Sequence, residues 1–271
     1  MSINATQLYN KPIMPSFALI LAAAGKSTRF KDPHQTKPFV RLDDRAVWLH
    51  SIEKFLNRDD VKQLILVIDP AFREAFFDQF GPNVTFMGLQ VVDGGEERWQ
   101  SVYNALNKVN SDIDFVAIHD AARPCLAPAW LDQVFAAAID THAAVLATPV
   151  TGTLKRGQAI DGKICVDGTV DRQNLWVAQT PQVFQRTLLI DAYQRYIQSQ
   201  TESGAPKLVP TDDAQVVEAY GHSVTIVASS EMNIKITSRE DIKLAHAILK
   251  ILPRPSFDAP LHPFADDHLW R

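Results

Sequence analysis

A chain of 271 residues, 46% hydrophobic and 21% charged, has the composition of an ordinary soluble globule with enough apolar material for a sizeable core. Its 27 basic and 31 acidic side chains leave a formal net charge of -4. No polybasic block or aromatic–basic alternation accompanies it, which argues against nucleic acid as a partner. The two cysteines, Cys125 and Cys165, are too few for a disulfide framework and have no Cys/His neighbours at zinc spacing, so a reduced, cytoplasmic setting fits them best.

Residues 1–15 show no periodicity and contain Pro12 and Pro15, so they read as a loose arm. "FALILA" (17–22) is a buried strand entering a small polar loop. Its Gly25-Lys26-Ser27-Thr28 looks like the end of a P-loop, G-x-x-x-x-G-K-[ST]. The first glycine of that pattern would fall on Ile20, inside the strand, where no loop can wrap N–H groups around a phosphate. The P-loop reading fails on this spacing. The same run, following Lys11, also imitates a signal peptide with Ala22 and Ala24 at a cleavage site. A single lysine, the nearby prolines and the loss of a first strand argue against that, and against secretion. No apolar run approaches the ~20 residues of a membrane span.

A helix is expected from about Ala46, with Trp48, Ile52 and Phe55 at helical spacing, and a strand at 64–69. Another strand ends in "QVVDGGEER", where Asp93-Gly94-Gly95 forces a turn. The following helix sets Trp99, Val102, Leu106 and Val109 on one face. A strand at 115–118 runs into a polar loop, and the next helix carries Leu131, Val134, Phe135 and Ala138 on one side. The stretch 149–174 breaks this pattern. It alternates polar and apolar residues about Asp161-Gly162 and reads as a β-hairpin excursion, a dimerisation arm. A helix near 186–198, the strand "VTIVAS" and a final helix from about Arg239, with Ser238 and Asp241 as its capping box, complete the pattern. Residues 253–271 hold four prolines and form a tail, leaving 16–252 as the one folded domain.

Apolar strands alternating with amphipathic helices indicate an α/β fold, a mostly parallel sheet with helices on both faces. Ligands in such sheets bind outside the carboxyl ends of the strands. Three polar loops stand at such ends: 22–29, 93–101 and 119–124. Near them lie Lys26, Arg29, Lys37, Arg98, Arg123, Arg172 and Lys235, with no Ser-His-Asp order, H-E-x-x-H pair or cysteine cluster. His119, next to Asp120, reads as a satisfied loop histidine. Any single surface cation is usually just solvated. Several at successive strand ends without a strong base point to phosphate chemistry, where the substrate brings its own nucleophile.

The segments "LAAAGKSTRF…TKPF", "VDGGEERWQSV", "HDAARP", "VDRQNLW", "QTPQ", "TDDA" and "NIKIT" occur in that order. Over residues 17 to 250 the chain thereby resembles the 2-C-methyl-D-erythritol 4-phosphate cytidylyltransferase family of the non-mevalonate isoprenoid pathway. The resemblance implies a Rossmann-like nucleotidyltransferase sandwich, a homodimer joined by the protruding hairpin arm, and Mg²⁺ bound mainly through the CTP phosphates. It implies that Ala23, Ala24 and Gly25 approach the nucleotide through their backbones and that Arg29 and Lys37 meet the triphosphate. Gly95, Glu96 and Ser101 would surround cytosine and ribose, and Asp120, Ala121 and Arg123 the ribose and phosphate side. Thr153 and Arg172 would reach a neighbouring subunit's site, while Thr180, Thr211, Asp212 and Lys235 complete the acceptor pocket. Arg29, Lys37 and Lys235 are the expected catalytic cations. Lys26, despite its neighbours, is not among them. The chain departs from the family pattern at Ala22 for proline, at Gly152 and Met232 for acidic residues, and in a longer "DPHQTKPF" segment. A cytidylyltransferase for another polyol phosphate, such as ribitol 5-phosphate, and a non-catalytic nucleotide-binding homologue are the competing expectations.

Overall fold

The computed structural model describes residues 14–25, 40–201 and 209–252. Arg29, Lys37, Lys26, the arm 1–13 and the tail 253–271 lie outside the described residues. Strand β1 (Phe17–Ala22) is apolar on both faces because it runs through the middle of the sheet. It pairs in parallel with β4 (Val61–Ile68) on one side and β6 (Phe115–Asp120) on the other. Strand β5 (Gln90–Asp93) continues the sheet beyond β4. On the far side stand β10 (Trp176–Gln185), β7 (Ala143–Pro149) and β11 (Thr225–Ala228), giving the order β11-β7-β10-β6-β1-β4-β5. Only β10 runs antiparallel, to both β6 and β7, so the sheet is mostly parallel as expected.

The period-2 alternation of the strands divides the core in two. Phe17, Leu19 and Leu21 of β1, Leu66 and Ile68 of β4, and Phe115 and Ala117 of β6 face one layer. Helices α1 (Val47–Leu56), α2 (Arg73–Phe86) and α4 (Pro128–Thr141) cover it with Trp48, Ile52, Phe55, Phe76, Phe80, Leu131, Val134 and Phe135. The intervening residues Ile20, Ile65, Val67, Val116 and Ile118 face the other layer. There α3 (Arg98–Leu106), α5 (Arg186–Thr201) and α6 (Asp213–Tyr220) supply Val102, Leu106, Leu189, Tyr193 and Val217. A third cluster joins Val40, Leu42 of the short strand β2 (Arg41–Leu42), which pairs antiparallel with β3 (Arg45–Ala46), Cys125 and Ile236 to helix α7 (Arg239–Ile251). Ser238 and Asp241 form the expected capping box at the start of α7.

The hairpin arm comprises β8 (Leu154–Ile160) and β9 (Lys163–Val170), joined through Asp161 and Gly162 at φ 49° and 73°. Positive φ at both central residues is the mirror-image turn that matches strand twist, and Asp-Gly is a preferred pair for it. The arm leaves from β7 and returns into β10.

Three differences from the sequence expectation have physical causes. The strand placed at 115–118 continues to Asp120, because Leu21 pairs with His119 and Ala22 with Asp120. His119 is therefore a buried strand residue, not a loop one. Helix α3 ends at Leu106, and Val109 packs on the second layer from the following turn. Helix α2 and strands β7 and β10 carried weak signals. Gly81-Pro82 sits inside α2 and Pro181 inside β10, and both normally mark breaks.

Candidate active site

The chain moves from β1 outward to β4 and β5, then returns to place β6 on the opposite side of β1. This is a topological switch point, where the loops after neighbouring strands diverge and leave a crevice. Backbone hydrogen bonds lace the three strand ends together. Ala23 N–H donates to Val67 O at 2.8 Å, Ala121 N–H to Ala22 O at 3.1 Å, and Gly94 N–H to Ile68 O at 2.8 Å.

The crevice has two halves. One is lined by Ala22, Ala23, Gly25, Arg98, Asp120, Ala121, Ala122 and Lys235. The other is lined by Ala22, Ala24, Gly25, Gly95, Glu96, Glu97, Arg98 and Ser101. The glycine pair is required for space rather than for an unusual φ. A Cβ on Gly94 would lie 2.4 Å from the Ala24 Cβ and 2.9 Å from Ser101 Oγ, and one on Gly95 would lie 2.5 Å from the Gln100 Cβ. Gly95 N–H donates to Ser101 Oγ at 3.0 Å. Glu97 and Gln100 form a reciprocal capping box that fixes the start of α3 beside this half.

Asp120 is the hub of the first half. Its Oδ2 lies 2.7 Å from Lys235 Nζ and 3.5 Å from Arg123 Nε, and its Oδ1 is 3.9 Å from Arg98 Nε. Burial alone would raise the Asp120 carboxyl, but Lys235, Arg98 and Arg123 outweigh it and hold the group well below the usual carboxylate range. Arg123 also donates to Asn233 O at 2.7 Å, and Ile236 N–H donates to Ala122 O at 2.8 Å, which seats Lys235 over the β6 loop. Asn233 itself donates through Nδ2 to Gln179 Oε1 and Thr180 O, both at 2.9 Å.

Beneath Asp120 lies a relay of neutral groups. Asp120 N–H donates to Thr180 Oγ1, and that hydroxyl stands 3.0 Å from His119 Nδ1. His119 Nε2 is 3.0 Å from Arg123 O, an acceptor only, so Nε2 carries the proton and Nδ1 accepts from Thr180. Burial pushes the His119 imidazole down to about 4. The folded state holds the ring neutral, so this contribution to stability is complete above the ordinary 6.5 and is lost as pH falls toward 4. The loss amounts to roughly 3 kcal/mol across that window. Denaturant unfolding at pH 7 and pH 4 should show the wild type losing about that much more than His119→Gln. An equal loss in the variant would assign the acid sensitivity to another group.

The crevice thus gathers Ala23, Ala24, Gly25, Gly95, Glu96, Ser101, Asp120, Ala121 and Lys235, with Arg123 bonded to its hub. Thr180 stands one layer behind. Thr211 and Asp212 lie at the start of α6, where Asp212 is the N-cap. One Asp212 oxygen accepts from Gln215 N–H at 3.0 Å and the other from Gln182 Nε2 at 2.8 Å. Thr211 is exposed and donates to Gln215 Oε1. Thr153 and Arg172 are exposed at the base of the arm, with the Arg172 guanidinium on Thr151 O, and do not line this crevice. Arg98, one of the strand-end cations but outside the expected site set, lines both halves. Its partner Asp213 had no sequence signal beyond standing next to Asp212.

A parallel sheet with one reversed strand, a glycine-tight crevice at its switch point and cations around one carboxylate define a nucleotidyltransferase-type protein. The sequence profile described as "IspD: 2-C-methyl-D-erythritol 4-phosphate cytidylyltransferase" matches residues 17–251. A curated 2-C-methyl-D-erythritol 4-phosphate cytidylyltransferase of Rhodopirellula baltica is 40% identical over 245 residues, covering 86% of this chain and 95% of that one. One from Clostridioides difficile is 33% identical over 242 residues, covering 88% and 95%. The crystal structure of the Thermus thermophilus protein of that name superposes with a TM-score of 0.69 at 27% identity, covering 88% of this chain and all of the other. The 4-diphosphocytidyl-2C-methyl-D-erythritol synthase of Anaerococcus prevotii gives 0.69 at 25%, covering 87% and 96%. The chain belongs to the 2-C-methyl-D-erythritol 4-phosphate cytidylyltransferase family.

Proposed function

We propose that this protein transfers CMP from CTP to 2-C-methyl-D-erythritol 4-phosphate, releasing pyrophosphate and forming 4-diphosphocytidyl-2-C-methyl-D-erythritol. The observation that carries this reading is the convergence of Lys235, Arg98 and Arg123 on Asp120 at the mouth of the β1/β6 crevice, in a chain of this family. An oxygen of the acceptor phosphate forms a bond to the α-phosphorus of CTP, and the bond from that phosphorus to the pyrophosphate oxygen breaks. The leaving oxygen keeps the electron pair, so no side-chain base is needed.

Cytosine and ribose occupy the half around Gly95, Glu96 and Ser101, whose walls close tightly because Gly94 and Gly95 carry no Cβ against Ala24 and Gln100. The backbones of Ala23, Ala24 and Gly25, with Arg29 and Lys37, take the triphosphate. Asp120, Ala121 and Arg123 border the ribose and α-phosphate. Lys235 faces the acceptor phosphate with Thr211, offsetting the repulsion between two anions that must touch. Thr180 and Asp212 serve the same pocket from behind, by holding the backbone of Asp120 and the start of α6.

Among the described residues no group of three His, Cys, Asp or Glu side chains can hold a metal ion. Asp120, the carboxylate of the phosphate half, is already engaged by cations. This donor set suits Mg²⁺ carried on the triphosphate, since that ion keeps several waters and binds through phosphates with few protein ligands. When bound it would neutralise triphosphate charge and ease pyrophosphate departure.

The arm exposes Leu154, Ile160, Ile164 and Val166, and the adjoining start of β10 exposes Leu175, Trp176 and Val177, apolar surface that favours a second copy of the chain and a homodimer. Thr153 and Arg172 would then serve the partner's acceptor pocket. No helix among the described residues is long and apolar enough to cross a membrane, and the cysteine content favours a cytoplasmic enzyme.

Purified protein with Mg²⁺ and CTP should release pyrophosphate when given methylerythritol phosphate. Release only with ribitol 5-phosphate would replace the acceptor, and release with neither would leave a nucleotide-binding homologue. Mixed Arg172→Ala and Lys235→Ala subunits should recover up to about a quarter of wild-type turnover, since one site of each heterodimer is whole. No recovery in demonstrated heterodimers would rule out the shared site.

A further inference from the structure

Of the three described residues that line both halves of the crevice, Ala22, Gly25 and Arg98, only Arg98 is charged. It stands where a nucleoside held on one side and an acceptor phosphate held on the other must meet. Its stem rises from the first turn of α3. Its head reaches across to α6, with Nη2 2.7 Å from the fully buried Asp213 Oδ2 and Nε 3.9 Å from Asp120 Oδ1. Asp213 is held in turn on every side. Its Oδ1 accepts from the Tyr193 hydroxyl at 2.6 Å, and its backbone N–H donates to Gln182 Oε1 at 3.1 Å.

Buried ion pairs are weak contributors to stability, and an arginine used only to satisfy Asp213 would gain nothing from staying open to the crevice. The Arg98 side chain nevertheless keeps 29% of its surface exposed, against none for Asp213. A planar guanidinium offers five donors, so one edge can stay on Asp213 while another faces an anion. We propose that Arg98 contacts the α-phosphate of the bound nucleotide during transfer, and that Asp213 is the positioning residue that aims it. This rests on the proposed cytidylyl transfer. Arg98 remains a cation throughout: burial opposes its charge, but Asp213 and Asp120 outweigh that. Tyr193 donates to the other Asp213 oxygen, Oδ1, so removing its hydroxyl leaves the Oδ2 contact that aims Arg98 in place.

The test compares Arg98→Gln, Asp213→Asn, both together, and Tyr193→Phe, in pyrophosphate release with CTP and methylerythritol phosphate, alongside thermal melts. Arg98→Gln should lower kcat by about 100-fold, the loss seen for a single transition-state donor. Asp213→Asn should lower kcat about tenfold, with little further loss once Arg98 is already Gln. Tyr193→Phe should lower Tm and leave kcat within about twofold. If Arg98→Gln folds and turns over as the wild type does, the anion contact is wrong. If Asp213→Asn costs as much in the Arg98→Gln background as alone, the positioning role is wrong. Should Arg98→Gln fail to fold, the Asp213→Asn and Tyr193→Phe pair decides: equal kcat losses at equal Tm losses overturn the proposal. Wild-type protein inactive on either acceptor would remove the proposed function, and this inference with it.

Discussion

Replacing Lys235 by alanine is expected to lower kcat by about 100- to 1,000-fold while leaving the fold intact. The Lys235 side chain is 38% exposed, and its ammonium group sits 2.7 Å from Asp120 Oδ2. Without substrate, that carboxylate stands where a phosphate oxygen would later compete for the lysine. Two phosphates must come within bonding distance during transfer, and a fixed cation between them lowers the barrier more than it improves ground-state binding. The loss should therefore fall on kcat more than on KM for CTP. Asp120 keeps Arg123 and Arg98 in the variant, so the melting temperature should move by only a few degrees. Steady-state kinetics giving kcat within threefold of wild type would place the acceptor elsewhere.

The opposite edit, Asp120→Asn, should damage stability first. It removes the negative charge on which Lys235, Arg98 and Arg123 converge, while preserving size and one acceptor oxygen. Removing one partner from a buried ionic cluster typically costs about 3–5 kcal/mol. The partial exposure of Lys235 sets the expectation near the lower figure, a drop in Tm of roughly 6–12 °C. Anions should compensate, so pyrophosphate should raise Tm more in this variant than in the wild type. The wild-type carboxylate contributes fully at neutral pH, and that contribution is lost only as pH falls below the ordinary carboxylate range. This window is distinct from that of His119, which titrates on the way from 6.5 to about 4. A variant as stable as the wild type, with no added response to pyrophosphate, would show that the three cations are screened independently.

How far the amino-acid pattern reveals this molecule depends on whether a residue acts through its neighbours in sequence or in space. The β1, β4 and β6 runs were legible because strands buried on both faces need unbroken apolar residues. The arm was legible because Asp161-Gly162 sits between alternating runs. Gly94 was visible only as part of a turn, and Gly95 as a turn residue that the family resemblance set beside the nucleoside. Their clearance against Ala24 and Gln100 appears once the β1 loop and α3 are packed together. Thr180 and His119 were visible as polar residues of named segments, but the hydrogen-bond chain that ties them to the Asp120 backbone joins strands 60 positions apart. Asp213 was the hardest to see. In "TDDA" the first aspartate caps α6 and the second turns inward to Arg98, 115 positions away, and nothing local distinguishes them.

The arm's geometry has a consequence for how this fold tolerates change. Its two ends are brought together outside the arm itself, by the pairing of β7 with β10 from Phe184↔Ala143 to Trp176↔Pro149 and by Val150 N–H on Leu175 O at 2.9 Å. The chain entropy of closing that excursion is therefore already met by the sheet. Doubling a loop of this kind costs only about 0.6 kcal/mol more. Length and sequence between residues 150 and 175 can drift, or be exchanged, with little effect on the seven-stranded frame. In the homodimer proposed above, what would constrain the arm is the surface it meets on the other copy rather than the folding of its own chain.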